Sequence, residues 1–175
     1  MKNSSDYEKQ AALNTVAHMA AAARTAPKAR GIDNISTVVI DDPEVRARLI
    51  QKMKEIAKRD NMPFIERDAN CIANSPAILV IGVASNPTGL NCGMCGCPNC
   101  DALQQKGGVC AYNTMDLGIA VGSAIALAAH FHMDNRVMYS IARACIEMKF
   151  FGESVKQALA IPLSVTGKSP FFDRK

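Results

Sequence analysis

Five of the seven cysteines in this 175-residue chain lie between Asn91 and Cys110. Cys92, Cys95, Cys97 and Cys100 share one stretch of nine residues, and Cys110 follows. A buried cysteine behaves as a small hydrophobe, and a core has no use for four of them in so short a run. Thiolates this close suit a soft metal centre, because sulfur ligands select zinc, copper(I) or iron–sulfur clusters.

Two ligand sets compete. Cys92, Cys95, Cys100 and Cys110, spaced C-x2-C-x4-C-x9-C, read as a [4Fe–4S] site with three thiolates from a tight loop and one more distal. Gly93 and Gly96 follow the first two, and glycine there lets backbone amides turn toward cluster sulfurs. The other set, Cys92, Cys95, Cys97 and Cys100, makes two C-x2-C pairs one residue apart and reads as tetrahedral zinc. Structural zinc sites place their pairs far apart, so the spacing favours the cluster, with Cys97 as the residue on which the choice turns. The leading function is electron transfer, as a carrier or an oxidoreductase component, with a redox partner protein or a small-molecule donor or acceptor. A zinc- or cluster-stabilised module without redox chemistry is the rival.

The rest of the chain must position that loop. Its length and near-average apolar and charged content fit one domain, residues 1–175, with the cysteine loop at 91–110. A net charge of +4, few aromatics and no basic run give nucleic-acid binding little support. The longest apolar stretch, Leu117–Phe131, is 15 residues, short of the roughly 20 that span a bilayer. No signal-peptide pattern opens the chain, and an odd cysteine count argues against a disulfide framework, so the expected location is the cytoplasm.

The pattern predicts a helix over 6–24 with Leu13, Val16, Ala17 and Ala20 on one face, and a strand over 34–40. Asp42-Pro43-Glu44 is a strong helix start, carried on by Val45, Leu49, Ile50, Met53, Ile56 and Ala57. A short strand is expected over 64–68, then a turn or short helix to Ser75. The apolar run 76–84 reads as a central strand covered on both faces. A Gly/Ala-rich helix starts at Asn113 or Thr114, an amphipathic helix covers 137–150, and 159–165 is a last strand that Pro162 confines to an edge or an end. The fold class is therefore α/β or α+β, a layered sheet-and-helix domain with an inserted cysteine-rich loop.

The segment Asn91-Cys92-Gly93-Met94-Cys95-Gly96 through Cys100 and Cys110 is similar to the C-G-x-C-G-x-x-x-C iron–sulfur motif of anaerobic electron-transfer proteins. With Ala22–Asn34, Asp116–Ala120, Asp134-Asn135-Arg136, Ile161–Ser164 and Asp173-Arg174, it resembles a prokaryotic family of uncharacterised ferredoxin-domain-containing proteins. That resemblance implies a [4Fe–4S] site on Cys92, Cys95, Cys100 and Cys110. Ala-Ala-Arg-Thr-Ala-Pro at 22–27, followed by the strand and the capped helix, is also similar to flavin-dependent nitroreductases. This second likeness implies a nitroreductase-like fold, FMN at a dimer interface and an FMN-dependent reductase. Lys28 and Gly31 replace the usual Ser and Asn, and the N-terminal Arg-Arg-Ser-x-Arg phosphate motif is absent. The small-residue helix and this order of elements favour a homodimer.

Arg24, Lys28 and Arg30 surround a helix end and could contact a phosphate, a flavin or an acidic substrate; a solvated basic loop explains them equally. Gly167-Lys168-Ser169 is no P-loop, because Pro162 stands where its first glycine belongs. His130 and His132 splay to different faces and read as helix-end residues. Cys145 reads as core, Cys71 as core or a thiol near the cluster, and Asp134-Asn135-Arg136 as a turn and helix cap.

Overall fold

A computed structural model of the chain describes residues 3–172; Asp173-Arg174 of the family resemblance lies outside them. Its centre is strand β2 (Ile78–Ala84), buried at every position up to Val83. β2 pairs antiparallel with β1 (Ile35–Ile40) on one side and β4 (Val155–Ser164) on the other. β3 (Asp134–Asn135) lies beyond β4, giving the order β1-β2-β4-β3.

Helices cover both faces, which explains why the strand is apolar throughout although the sheet is wholly antiparallel. Alternating residues divide the core. Leu79, Ile81, Val83, Ile161 and Leu163 pack with α1 (Ser4–Thr25) and α5 (Ala111–His130). Ile78, Val80 and Ala160 pack with α2 (Pro43–Arg59), α3 (Pro63–Cys71) and α6 (Tyr139–Glu147). The architecture is a three-layer sandwich of mixed α and β structure.

The Asp42 signal works as read: its Oδ1 accepts from the N–H groups of Glu44 and Val45, at 2.7 and 3.1 Å, with Pro43 in the first turn. Elsewhere the expectations need correction. Residues 64–68 are helix, not strand, because Pro63 opens α3 and Ile65 and Ala69 recur at helical spacing on its buried side. The buried face of α1 is Ala12, Val16, Met19 and Ala23, while Ala17 is exposed.

The helix expected from 137 begins at Tyr139. Asp134-Asn135 is strand β3 rather than a cap, and Met138 exchanges both backbone hydrogen bonds with Ala160. Pro162 sits inside β4, not at its end. Ala160 bonds toward Met138 while the Leu163 N–H bonds to Ala77 on the β2 side at 2.9 Å. Backbone groups alternate along a strand, so the missing N–H faces the β3 side, where pairing is interrupted between Met138 and Asn135.

Candidate metal centre

At the Ala84 end of β2 the chain runs into the cysteine loop. Backbone geometry shapes it more than packing does. Gly93 and Gly96 take φ of +74° and +78°, and the Gly96 N–H bonds to the Gly93 carbonyl at 2.9 Å. Asn91 also has positive φ, +49°, which asparagine tolerates better than most side chains. Its Oδ1 accepts from the Cys100 N–H at 2.9 Å, closing the loop between its two ends.

Asn99 caps α4 (Cys100–Gln105) through the Ala102 N–H at 2.8 Å. The return to Cys110 passes tightly over this helix: a Cβ on Gly108 would stand 2.5 Å from Leu103 Cδ1. Ser85 Oγ ties that return to the end of β2 by donating to the Gly108 carbonyl at 3.2 Å.

The five thiols are all free and unequally placed. Cys92 is exposed, Cys95 and Cys100 are half-buried, and Cys97 and Cys110 are buried. Cys95, Cys97 and Cys110 pack together with Leu103, Ala102 and Tyr112. The structure thus brings Cys97 toward Cys110 and leaves Cys92 outside that contact. Among the described residues, no three His, Cys, Asp or Glu side chains gather as a metal site.

Cys110 stands immediately before α5, which begins at Ala111 rather than at Asn113 or Thr114. Burial pushes its thiol up, but N–H groups of Thr88, Tyr112 and Asn113 and the Thr88 hydroxyl outweigh that and bring it below the ordinary cysteine value. Thr88 Oγ1 lies 4.0 Å from its sulfur. The helix start therefore favours the thiolate, the form that binds metal. By contrast, burial pushes Cys145 up to about 12, as expected of a core residue. Burial, with the Asp68 charge, also raises Cys71, which sits at the end of α3, remote from the loop.

Arg24, Lys28 and Arg30 meet around one turn, and each is engaged within the protein. Arg24 Nη1 pairs with Asp33 at 2.5 Å and reaches the Ile35 carbonyl at 2.8 Å. Lys28 Nζ binds the carbonyls of Arg24 and Ala26 at 2.5 and 2.8 Å. Arg30, left-handed at φ +56°, donates to the Thr88 carbonyl at 2.6 Å and so links this turn to the approach of the cysteine loop. Asp116 completes the link from α5 by accepting from the Ala29 N–H at 3.0 Å. Asp116 appeared in the sequence only as part of the family likeness; a contact across 87 residues has no local signal.

His130 ends α5, and His132 lies two residues on with φ +55°. Asn113, expected at the start of the Gly/Ala-rich helix, lies inside α5. It is fully buried, and neither atom of its amide has a partner among the described residues.

The architecture is that of the nitroreductase fold. A nitroreductase with bound FMN from Desulfitobacterium hafniense superposes with a TM-score of 0.62 at 14% identity, over 89% of this chain and 78% of that one. NfrA2 of Bacillus megaterium gives 0.56 at 13%, over 89% and 58%. The hypothetical oxidoreductase YcnD of Bacillus subtilis gives 0.57 at 14%, over 91% and 59%, so the chain spans under two thirds of the length of these two.

An uncharacterised protein of Archaeoglobus fulgidus is 37% identical over 181 residues, covering 98% of this chain and 96% of that protein. Residues 106–174 match the family described as uncharacterised proteins containing a ferredoxin domain. The chain belongs to that family. The matched segment holds Cys110 and begins after the other four loop cysteines. No described helix is long and apolar enough to cross a membrane.

Proposed function

We propose that the chain is an iron–sulfur redox protein of the cytoplasm, a single domain that holds a [4Fe–4S] cluster on Cys92, Cys95, Cys100 and Cys110. The observation that carries this reading is the donor set. Free thiols stand on a loop turned by left-handed glycines and ending at Cys110, whose thiolate is favoured by surrounding N–H groups. Membership of a ferredoxin-domain family supports it.

When bound, such a cluster supplies one-electron transfer. The chain's own residues do the rest. The left-handed turns at Gly93 and Gly96 fold the chain between the thiols, and Asn91 holds Cys100 near the loop entrance. Burial of Cys110 limits water at the inner side of the site. Metal binding and ordering of a thiolate loop are coupled, so ligation would draw exposed Cys92 inward.

Anaerobic purification with iron and sulfide analysis and a visible spectrum tests this. About four irons per chain in a brown protein is the expected result. One zinc in a colourless protein would support the structural-module reading instead. Cys97→Ser should keep the iron and Cys92→Ser should lose it; the reverse would put Cys97 in the ligand set.

A second reading, an FMN-dependent reductase, rests on the nitroreductase fold and the FMN-bound neighbour. The internal engagement of Arg24, Lys28 and Arg30 weighs against their holding a flavin phosphate, and a yellow releasable chromophore would favour it. A homodimer fits either reading, because Met115, Gly118 and Ile119 form an exposed, largely apolar stripe on α5. Sedimentation at several concentrations tests the dimer.

A further inference from the structure

The turn at Ala29–Gly31 and the approach to the cysteine loop meet at Thr88. Thr88 is 3% exposed, and its hydroxyl lies 4.0 Å from the Cys110 sulfur, its one hydrogen-bond partner among the described residues. The Thr88 N–H faces the same sulfur. One residue thus aims both of its donors at a single thiol. A buried hydroxyl needs a partner, and here the sulfur supplies it.

Thr88 is held from behind. Its carbonyl accepts from Arg30 Nη1 at 2.6 Å, and the same nitrogen stands 3.4 Å from where a Cβ on Gly89 would lie. Gly89 is left-handed at φ +74°, which brings the chain close under the guanidinium. Arg30 is itself left-handed at φ +56°, an uncommon conformation for a side chain of its size. Such strain persists only where the surroundings over-determine it. The constraint here is Asp116, 4% exposed in the second turn of α5, which accepts from the Ala29 N–H at 3.0 Å. Because α5 begins beside Cys110, the turn, Thr88 and Cys110 close a circuit around one helix end.

We propose that Thr88 is a positioning residue of the metal centre: its hydroxyl donates to the Cys110 sulfur and fixes it, and Arg30 holds Thr88 in place. A metal-bound thiolate carries no proton, so in the loaded protein the hydroxyl is the donor. A hydrogen bond to a ligand sulfur disperses negative charge and favours the reduced state, so this contact raises the reduction potential. The effect on potential rests on the [4Fe–4S] reading; the contact itself does not.

The midpoint potential of anaerobically reconstituted protein tests it, in the parent, Thr88→Val, Thr88→Ser and Arg30→Lys. Thr88→Val keeps the side chain's shape and should take up iron, with its potential shifted negative. Thr88→Ser restores the hydroxyl and should bring the potential back toward the parent's. Arg30→Lys preserves the charge, so a negative shift there reports lost positioning, and it should add little in the Thr88→Val background. Fully additive shifts would strike Arg30 from the proposal. If Thr88→Val does not fold, Thr88→Ala takes its place with the same expectations. Iron-loaded Thr88→Val at the parent's potential, or Thr88→Ser no nearer the parent than Thr88→Val, would overturn the proposal and leave the cluster reading standing. A parent that takes up no iron would instead sink the cluster reading, and the contact is then read in metal-free protein by Raman spectroscopy. There the Cys110 S–H stretch, identified by its loss in Cys110→Ser, should move to higher frequency in Thr88→Val, because a weak hydrogen bond at sulfur is lost. An unmoved band would overturn the contact as well.

Discussion

The two ends of β2 differ in what holds them. At the Ala84 end, turns and short hydrogen bonds shape a loop whose thiols range from exposed Cys92 to buried Cys97 and Cys110. At the Ile78 end, helices α2 and α3 and the end of β4 close over polar groups, and a hydroxyl is left buried without a partner. Between them the strand itself is dry and fully packed. The middle of the sheet is thus held by burial, while its Ala84 end is held by turn geometry together with the packing of Cys97 and Cys110.

The largest expected effect comes from the dry middle. Leu79→Ala removes a fully buried side chain and should cost about 2–5 kcal/mol in urea unfolding. Cys92→Ser, on the exposed loop, should change the unfolding of metal-free protein by less than ~0.5 kcal/mol while abolishing iron uptake. Equal losses in the two variants would erase the contrast. Gly82→Ala sharpens it, because the new Cβ would stand 2.8 Å from Val155 Cγ1 and 3.3 Å from Phe151; about 1–3 kcal/mol should be lost. Next comes Asp42→Ala, which removes two N–H contacts at the start of α2 and should cost about 0.5–2 kcal/mol by the same measurement.

The smallest effect concerns the ionic seam between α2 and α6. Arg59 donates to both Asp60 and Glu147, Arg143 also pairs with Asp60, and Lys52 reaches Glu147 at 3.2 Å. The Arg59 guanidinium, foremost among these contacts, lowers Asp60 to about 2 and also lowers Glu147 from its usual 4.5. Because the folded values lie below the unfolded ones, the contribution is complete above the unfolded carboxylate range and disappears as pH falls toward 2. Melting temperature should decline over that window in low salt and less steeply in high salt. An Asp60→Asn/Glu147→Gln variant with the same pH slope as the parent would show that the seam contributes nothing.

Local chemistry was readable where it acts within a few residues. The Asp42 cap, the β2 run and the glycines beside Cys92 and Cys95 all express backbone preferences that need no distant partner. Residues 64–68 misled because their composition suits a strand, and the helix start set by Pro63 prevailed once Ile65 and Ala69 found a core. The strand at Asp134-Asn135 was hidden because its partners, Leu163 and Ser164, lie some thirty residues away.

By itself, the sequence determined that this protein concentrates thiols on one glycine-turned loop beside a central strand, since both follow from residue type and near-neighbour spacing. Tertiary structure alone decided that Cys97 packs toward Cys110, that Arg30 ties its turn to Thr88, and that Thr88 meets the Cys110 sulfur. Those relations depend on burial and on contacts between segments far apart in the chain, which no local pattern encodes.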